Sequence, residues 1–236
     1  MQTVKRLESY IPLAEVFEAN GLYKTEDVAF LDSSLENELG RYSILGLRPY
    51  LKLVKSDDFT VNGQVQEVSF ESYLRGYLRD HHTENETGLP ITAGALGYFS
   101  YEYGRKKEEV STGHQAGVDI PDCILIFYDL FLIEDLCKKE LYASANGNLC
   151  PAAETLKIAE EMVKKAQEWD DYESGISKAV QGEPGDRKNE FASDEPQIFA
   201  NFEKEEYKYA VDDMIRYIIE GDIYIANMTQ QLCIKS

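Results

Sequence analysis

The stretch ILIFYDLFLIED, residues 124–135, is a nearly continuous apolar run with the length of a β-strand. Its isoleucine, phenylalanine and tyrosine side chains favour strand structure, so we predict a strand here. The stretch KKELYASANGN, residues 138–148, follows after a short interval and predicts the hairpin partner of that strand. Strands joined by so short a connection pair antiparallel, which makes an antiparallel sheet the expected framework.

Upstream of this hairpin, strand-like runs alternate with turn residues. VAFLDSS, residues 28–34, predicts a buried strand that ends in polar residues, and residues 41–68 predict a meander. Turn residues interrupt the meander at four points, which are Gly46, Pro49, Asp57–Asp58 and Asn62–Gly63. The Asn-Gly pair between alternating residues is a strong hairpin signal.

Amphipathic patterns predict helices that pack on this sheet. Residues 1–24 predict a short strand and then a helix, residues 70–80 have apolar side chains at helical spacing, and residues 151–168 begin with a proline suited to a helix start. The predicted fold class is therefore α+β, with largely antiparallel sheets packed against helices.

The last third of the sequence predicts a division of the chain. Residues 169–197 lack periodicity and carry Gly, Pro, Ser and many charges, which is typical of a linker. A helix pattern then runs to Gly221, and a strand is predicted over 223–234. The predicted parts are a first domain at 1–168, a linker at 169–197, and the first helix and strand of an incomplete second domain at 198–236.

Composition excludes several classes of function. The formal net charge of −19 opposes binding to nucleic acids and to anionic membranes, so we expect neither as a partner. No apolar run approaches the roughly 20 residues that span a bilayer, and the N-terminus lacks a signal-peptide core, so a cytoplasmic location is expected. The four cysteines form no CxxC pair, which predicts reduced thiols and no zinc site.

Sequence motifs for catalysis are equally scarce. GALGYFSYEYGRK, residues 94–106, lacks the spacing of a phosphate-binding loop or of a dinucleotide-binding turn, and its glycines favour close backbone packing. The GxSxG motif of a nucleophilic serine is absent. The histidines at 81, 82 and 114 lie in polar segments that predict solvated loops. We therefore predict no catalytic and no metal-binding residues in this chain.

The segment LDSSLENELGRYS, residues 31–43, is the best candidate for a binding site. Asp32 and Ser33 follow a predicted strand, and Arg41 lies a short loop away. A carboxylate, hydroxyls and a guanidinium close together could bind a zwitterion, with Asp32 facing the ammonium and Arg41 or Ser33 facing the carboxylate. The alternative is an ordinary turn in which Arg41 pairs with Glu36 or Glu38.

Four segments taken together resemble the chorismate-utilising component I enzymes. They are FLDSSLENELGRYSILGLRP, GALGYFSYEYGR, IPDCILIFYDLFLIED and GDIYIANMTQQL, and they occur in the order found in that family. The family includes anthranilate synthase component I and aminodeoxychorismate synthase component I, whose product leads to p-aminobenzoate and folate. YEYGRK and the FYD strand are more similar to the aminodeoxychorismate branch. Ile225 and Gln231 depart from the family pattern, where glutamine and arginine are usual.

The resemblance implies that this chain is the N-terminal portion of a longer enzyme. Family members are about twice as long, and their chorismate-binding and Mg²⁺-binding residues lie in the part not present here, so we expect no cofactor in this chain and no activity from it alone. The implied partner is a glutamine amidotransferase subunit, component II. The implied site is half of a tryptophan effector pocket, formed by Leu31, Asp32, Ser33 and Arg41, whose other wall lies beyond residue 236. A stand-alone amino-acid-binding regulatory module is the remaining alternative.

Overall fold

A computed structural model describes residues 2–35, 39–110, 120–179 and 197–235. The described strands are β1 Thr3–Arg6, β2 Ala29–Leu31, β3 Tyr42–Lys55, β4 Phe59–Val61, β5 Gln64–Val65, β6 Ala95–Phe99, β7 Cys123–Asp135, β8 Glu140–Ala145, β9 Gln197–Ala200 and β10 Leu232–Lys235. The α-helices are α1 Leu13–Ala19, α2 Phe70–Asp80, α3 Tyr101–Lys107, α4 Ala152–Ala179 and α5 Lys204–Glu220. The predicted α+β class is confirmed.

Strand β7 is the centre of an eight-stranded antiparallel sheet. It pairs with β3 along its whole length, from Tyr42 opposite Asp135 to Lys55 opposite Cys123. On its other side it pairs with β6 over its first half and with β8 over its second half. The predicted hairpin of β7 and β8 is therefore confirmed, and β1 extends the sheet beyond β8.

Strand β3 corrects the predicted meander, because it continues for 14 residues through two positions where we expected turns. At Gly46 an added Cβ would lie 2.7 Å from the Tyr128 ring, so glycine here makes room for an aromatic side chain on the paired strand. At Pro49 the register with β7 shifts between Pro49 and Leu51, and such an irregularity accommodates the missing amide donor. The Asn62–Gly63 hairpin is confirmed between β4 and β5, with a positive φ at both residues.

The two faces of β7 are buried by different groups of side chains. Leu130 and Leu132 lie in a cluster to which α1 and α4 contribute, with Leu13 and Val16 among its fully buried members. Alternate residues of the strand point to opposite faces, so Phe131 and Ile133 belong to a separate buried cluster. A third cluster packs α2 against β3, β4 and the start of β7. The long run of apolar residues in β7 is thus explained by burial on both faces.

Helix α4 corrects the start of the predicted linker. It runs to Ala179, so the first eleven residues of the predicted 169–197 linker are helical. Trp169, Tyr172 and Ile176 stand at helical spacing in the sequence, a signal that the neighbouring charges and glycine obscure. The rest of the linker up to residue 196 lies outside the described residues. The chain divides into two compact units, Met1–Gln181 and Gly182–Ser236, while the predicted domain boundaries stay a prediction.

The second unit contains α5 and a two-stranded antiparallel sheet. Helix α5 ends at Gly221 in a left-handed conformation, as predicted. The predicted strand over 223–234 is wrong for most of its length, because regular strand structure begins only at Leu232. Strand β10 pairs with β9, with Leu232 opposite Ala200. Tyr207 explains part of the difference, since its hydroxyl donates to the Met228 carbonyl oxygen at 3.0 Å and holds the preceding segment towards α5 instead of a neighbouring strand.

None of the helices in the described ranges is long and apolar enough to cross a bilayer. The cytoplasmic location stays a prediction.

Candidate functional site

The predicted effector residues lie where β2 ends and β3 begins. The two strands pair antiparallel, with Leu31 opposite Ile44, and this brings the residues after β2 close to Ser43. The Ser43 hydroxyl donates to Asp32 Oδ1 at 3.2 Å and accepts from the Ser33 amide at 3.1 Å. Asp32, Ser33 and Ser43 therefore form one hydrogen-bonded group, as their sequence spacing led us to expect for the first two.

Arg41 lies at the same end of the sheet, but its guanidinium is occupied by a residue from another strand. Its Nη2 lies 2.6 Å from Asp135 Oδ2 and its Nε lies 3.2 Å from Asp135 Oδ1, which is a two-pronged ion pair. Asp135 is 1% exposed, and the arginine holds the pKa of this carboxyl below its ordinary value. A buried carboxylate of this kind needs a cation, so Arg41 has a structural role.

The sequence did not reveal Asp135 as a partner of Arg41. The two residues are 94 positions apart, and only the pairing of Tyr42 with Asp135 across β3 and β7 brings them together. Ser43 was missed for the same reason, since its hydroxyl faces Asp32 only after β2 folds back onto β3. The alternative pairing of Arg41 with Glu36 or Glu38 lies outside the described residues.

This geometry changes how the cluster could hold a zwitterion. The Ser33 hydroxyl donates to the Tyr42 carbonyl at 2.7 Å, and Arg41 faces Asp135, so both groups expected to bind a ligand carboxylate already have partners. Asp32 makes a hydrogen bond to Ser43 and is suited to a ligand ammonium. Leu31 is 52% exposed and offers an open apolar surface beside it. The pocket itself stays a prediction.

The glycine-aromatic segment 94–106 has a packing role at Gly97. A Cβ at Gly97 would lie 1.9 Å from the Ile124 carbonyl oxygen of β7, so only glycine lets β6 approach β7 this closely. The predicted close packing is confirmed at this residue. Ser100 then begins α3, its hydroxyl accepting from the Tyr103 amide at 3.1 Å.

In the described ranges no group of three or more His, Cys, Asp or Glu side chains converges in a way that could hold a metal ion. His114 lies outside these ranges. The residues described here therefore do not fit the Mg²⁺ that the family resemblance implies for the longer enzyme, and we derive no step through it.

Comparison with known proteins decides the family. A family model described as chorismate binding enzyme matches residues 34–236. The chain belongs to the chorismate-binding enzymes. The match begins within the candidate effector segment and includes most of the first compact unit and all of the second.

Several curated members of the chorismate-binding enzymes are similar to this chain at low identity. Anthranilate synthase component 1 of Acetivibrio thermocellus is 25% identical over 253 residues, which cover 100% of this chain and 48% of that protein. Aminodeoxychorismate synthase component 1 of Bacillus subtilis is 24% identical over 199 residues, which cover 80% of this chain and 39% of that protein. The chain spans about half the length, or less, of the curated relatives it matches.

A solved structure gives a further comparison. The crystal structure of anthranilate synthase component I from Streptococcus pneumoniae has a TM-score of 0.47 and 20% sequence identity to this chain. The similarity covers 80% of this chain and 40% of that one.

Proposed function

We propose that this chain is part of an aminodeoxychorismate synthase component I, which aminates chorismate on the route to p-aminobenzoate and folate. The observation that supports this most is the family match over residues 34–236. In this reaction chorismate loses its 4-hydroxyl group as ammonia adds, and a glutamine amidotransferase subunit, component II, supplies the ammonia.

In this proposal the 236-residue chain contributes structure and not catalytic groups. The antiparallel sheet of the first unit is a rigid scaffold, and the Asp32–Ser33–Ser43 group gives it a polar edge. The aligned parts cover 48% and 39% of two of the relatives, and this supports our expectation that the chain alone does not act on chorismate.

We expect no turnover when the purified 236-residue chain is incubated with chorismate, ammonia and Mg²⁺. Product formation would be followed by fluorescence of anthranilate, and by chromatography for aminodeoxychorismate. A full-length member of the family is the positive control. Turnover by the 236-residue chain above the rate without protein would contradict the scaffold proposal.

The branch of the family can be tested genetically. We expect disruption of the gene for this chain to create a requirement for p-aminobenzoate, because YEYGRK and the FYD strand are more similar to the aminodeoxychorismate branch. Anthranilate synthase is the second candidate, favoured by the full-length coverage of this chain by the Acetivibrio relative. A requirement for tryptophan instead would support that second candidate and overturn the first.

Half of an effector pocket predicts very weak binding of tryptophan to this chain. We propose that Leu31, Asp32, Ser33 and Arg41 form one wall only, so an indole ring would lose roughly 2 kcal/mol or more of apolar burial. Isothermal calorimetry with tryptophan should show no measurable binding, with glycine as the control ligand. Micromolar affinity would instead support the stand-alone amino-acid-binding module.

A further inference from the structure

A groove in the first unit lies beside the junction of two strands that pair with the same side of β7. Strand β6 begins with Ala95 opposite Phe127, and β8 ends with Ala145 opposite Leu130. Between these points the Tyr128 amide donates to the Gly94 carbonyl at 3.3 Å and the Asn146 amide donates to the Asp129 carbonyl at 2.8 Å. The groove beside this junction has a volume of about 580 Å³, within the range of roughly 300–1,000 Å³ for small-molecule sites.

One wall of the groove is aromatic. The Tyr77 ring lies edge-on to Phe127 with centroids 4.8 Å apart, and it stacks on His81 at 4.1 Å. Tyr50 joins this wall through a hydrogen bond of 3.0 Å between its hydroxyl and that of Tyr77. Burial raises the pKa of the Tyr50 hydroxyl, so this hydroxyl is uncharged at neutral pH. Rings held in this way offer flat apolar surface to a planar ligand.

Amide groups also line the groove. They come from Gln2, Asn146 and Asn148, and Ala93 and Gly94 line it as well. The Gln2 side chain donates to the Thr92 carbonyl at 2.8 Å, which fixes Gln2 beside this segment. The side-chain amide of Asn148 and the Oδ1 of Asn146 have no hydrogen-bond partner within the part of the chain described. Both are therefore available to a ligand.

The charged side chains that line the groove indicate which class of ligand it favours. The carboxylate that lines the groove is Asp80, which lies at the rim, 58% exposed, with Arg79 2.8 Å away. Among the described residues no lysine or arginine side chain lines the groove, whose basic groups are His81 and His82, and the chain has a formal net charge of −19. An anion would therefore meet Asp80 and an acidic chain with no lysine or arginine to compensate it, whereas a neutral amide pairs well with the amide donors and acceptors.

We propose that this groove binds uncharged, planar aromatic compounds that carry an amide-like group on one edge. The ring packs against Tyr50, Tyr77 and Phe127, and the polar edge exchanges hydrogen bonds with Asn146 and Asn148. Such a site is separate from the effector segment at residues 31–43. It also differs from a chorismate site, because chorismate carries carboxylate charge.

Benzamide and benzoate are suitable probes, because they share a ring and differ in charge. In ¹H–¹⁵N spectra of the ¹⁵N-labelled 236-residue chain, benzamide should shift the side-chain amide resonances of Asn146 and Asn148 in a saturable way. Benzoate should bind at least about tenfold more weakly, since its carboxylate would be desolvated beside Asp80 without a lysine or arginine partner. Equal binding of the two probes, or larger shifts outside the groove, would overturn the proposal.

A pair of variants separates the groove from general surface binding. Asn148→Ala should weaken benzamide binding about three- to tenfold, the loss of one hydrogen bond. The Asn148 side chain is exposed, and the bond of 2.6 Å from its backbone amide to Asp129 is retained, so the variant should fold normally. Gln64→Ala removes an exposed amide from β5 and should bind like the wild type. Equal affinities of the two variants would refute the assignment.

Discussion

Replacing Gly97 with alanine should destabilise the protein by about 3 kcal/mol, near the upper end of the usual cost of overpacking. The added Cβ would lie 1.9 Å from the Ile124 carbonyl oxygen, and that oxygen belongs to the backbone of the central strand. Backbone cannot rotate aside as a flexible side chain does, so β6 and β7 would have to separate. Urea unfolding followed by tyrosine and tryptophan fluorescence measures the change in free energy of unfolding.

Gly76→Ala is the matched control for this prediction. Gly76 lies within α2, and a Cβ there would have no heavy atom within 4 Å. Alanine in a helix interior should stabilise the protein by roughly 0.5–1 kcal/mol relative to glycine. The two substitutions should therefore change the free energy of unfolding in opposite directions. A Gly97→Ala variant as stable as the wild type would show that β6 does not approach β7 so closely.

Asp135→Asn should destabilise the protein by about 2 kcal/mol at neutral pH, because charge-assisted hydrogen bonds to a buried carboxylate are lost. Two of these come from Arg41, and a third comes from the Lys138 amide at 3.2 Å. The pKa of Asp135 is lowered in the folded protein, so its stabilisation is present above the pKa of the unfolded chain and is lost as pH falls through the folded pKa.

The pH dependence distinguishes this mechanism from a simple packing defect. Asparagine does not titrate, so the difference between wild type and variant should shrink as the pH is lowered from 7 to about 3, below the ordinary pKa of an aspartate. Asp80→Asn is the control, since Asp80 pairs with Arg79 at an exposed site and its replacement should leave stability unchanged. A difference that stays constant from pH 7 to pH 3 would rule out the ion pair as its cause.

Elements with strong local signals were predictable from the sequence. The apolar run of β7, the periodicity of α2 and the Asn62–Gly63 turn each depend on residues close together in the chain, and all three were found where expected. Strand β3 was harder, because the reason it continues through Gly46 is the Tyr128 ring on another strand. A glycine within a strand-like sequence predicts a turn when only its neighbours in the chain are considered. Here the strand continues, because pairing with β7 places the Tyr128 ring where a side chain would otherwise lie.

The candidate site was predictable only in part for the same physical reason. Asp32 and Ser33 are neighbours in sequence, so their proximity needed no knowledge of the fold. Arg41 and Asp135 are 94 positions apart and meet only because β3 pairs with β7 in one register. A change of that register by one residue would turn Asp135 to the other face of the sheet. Carboxylates are numerous in this acidic chain, so composition could not single out Asp135.

The pairing of β1 with β8 has a consequence for biosynthesis. Thr3 is translated well before its partner in the sheet, Ala145. Strand β1 therefore cannot join the sheet until β3, β7 and β8 have been translated. Contacts between residues so distant along the chain form slowly. During that interval its exposed edge is available to chaperones, and a nascent polypeptide released before Ala145 would leave the strand without its native neighbour.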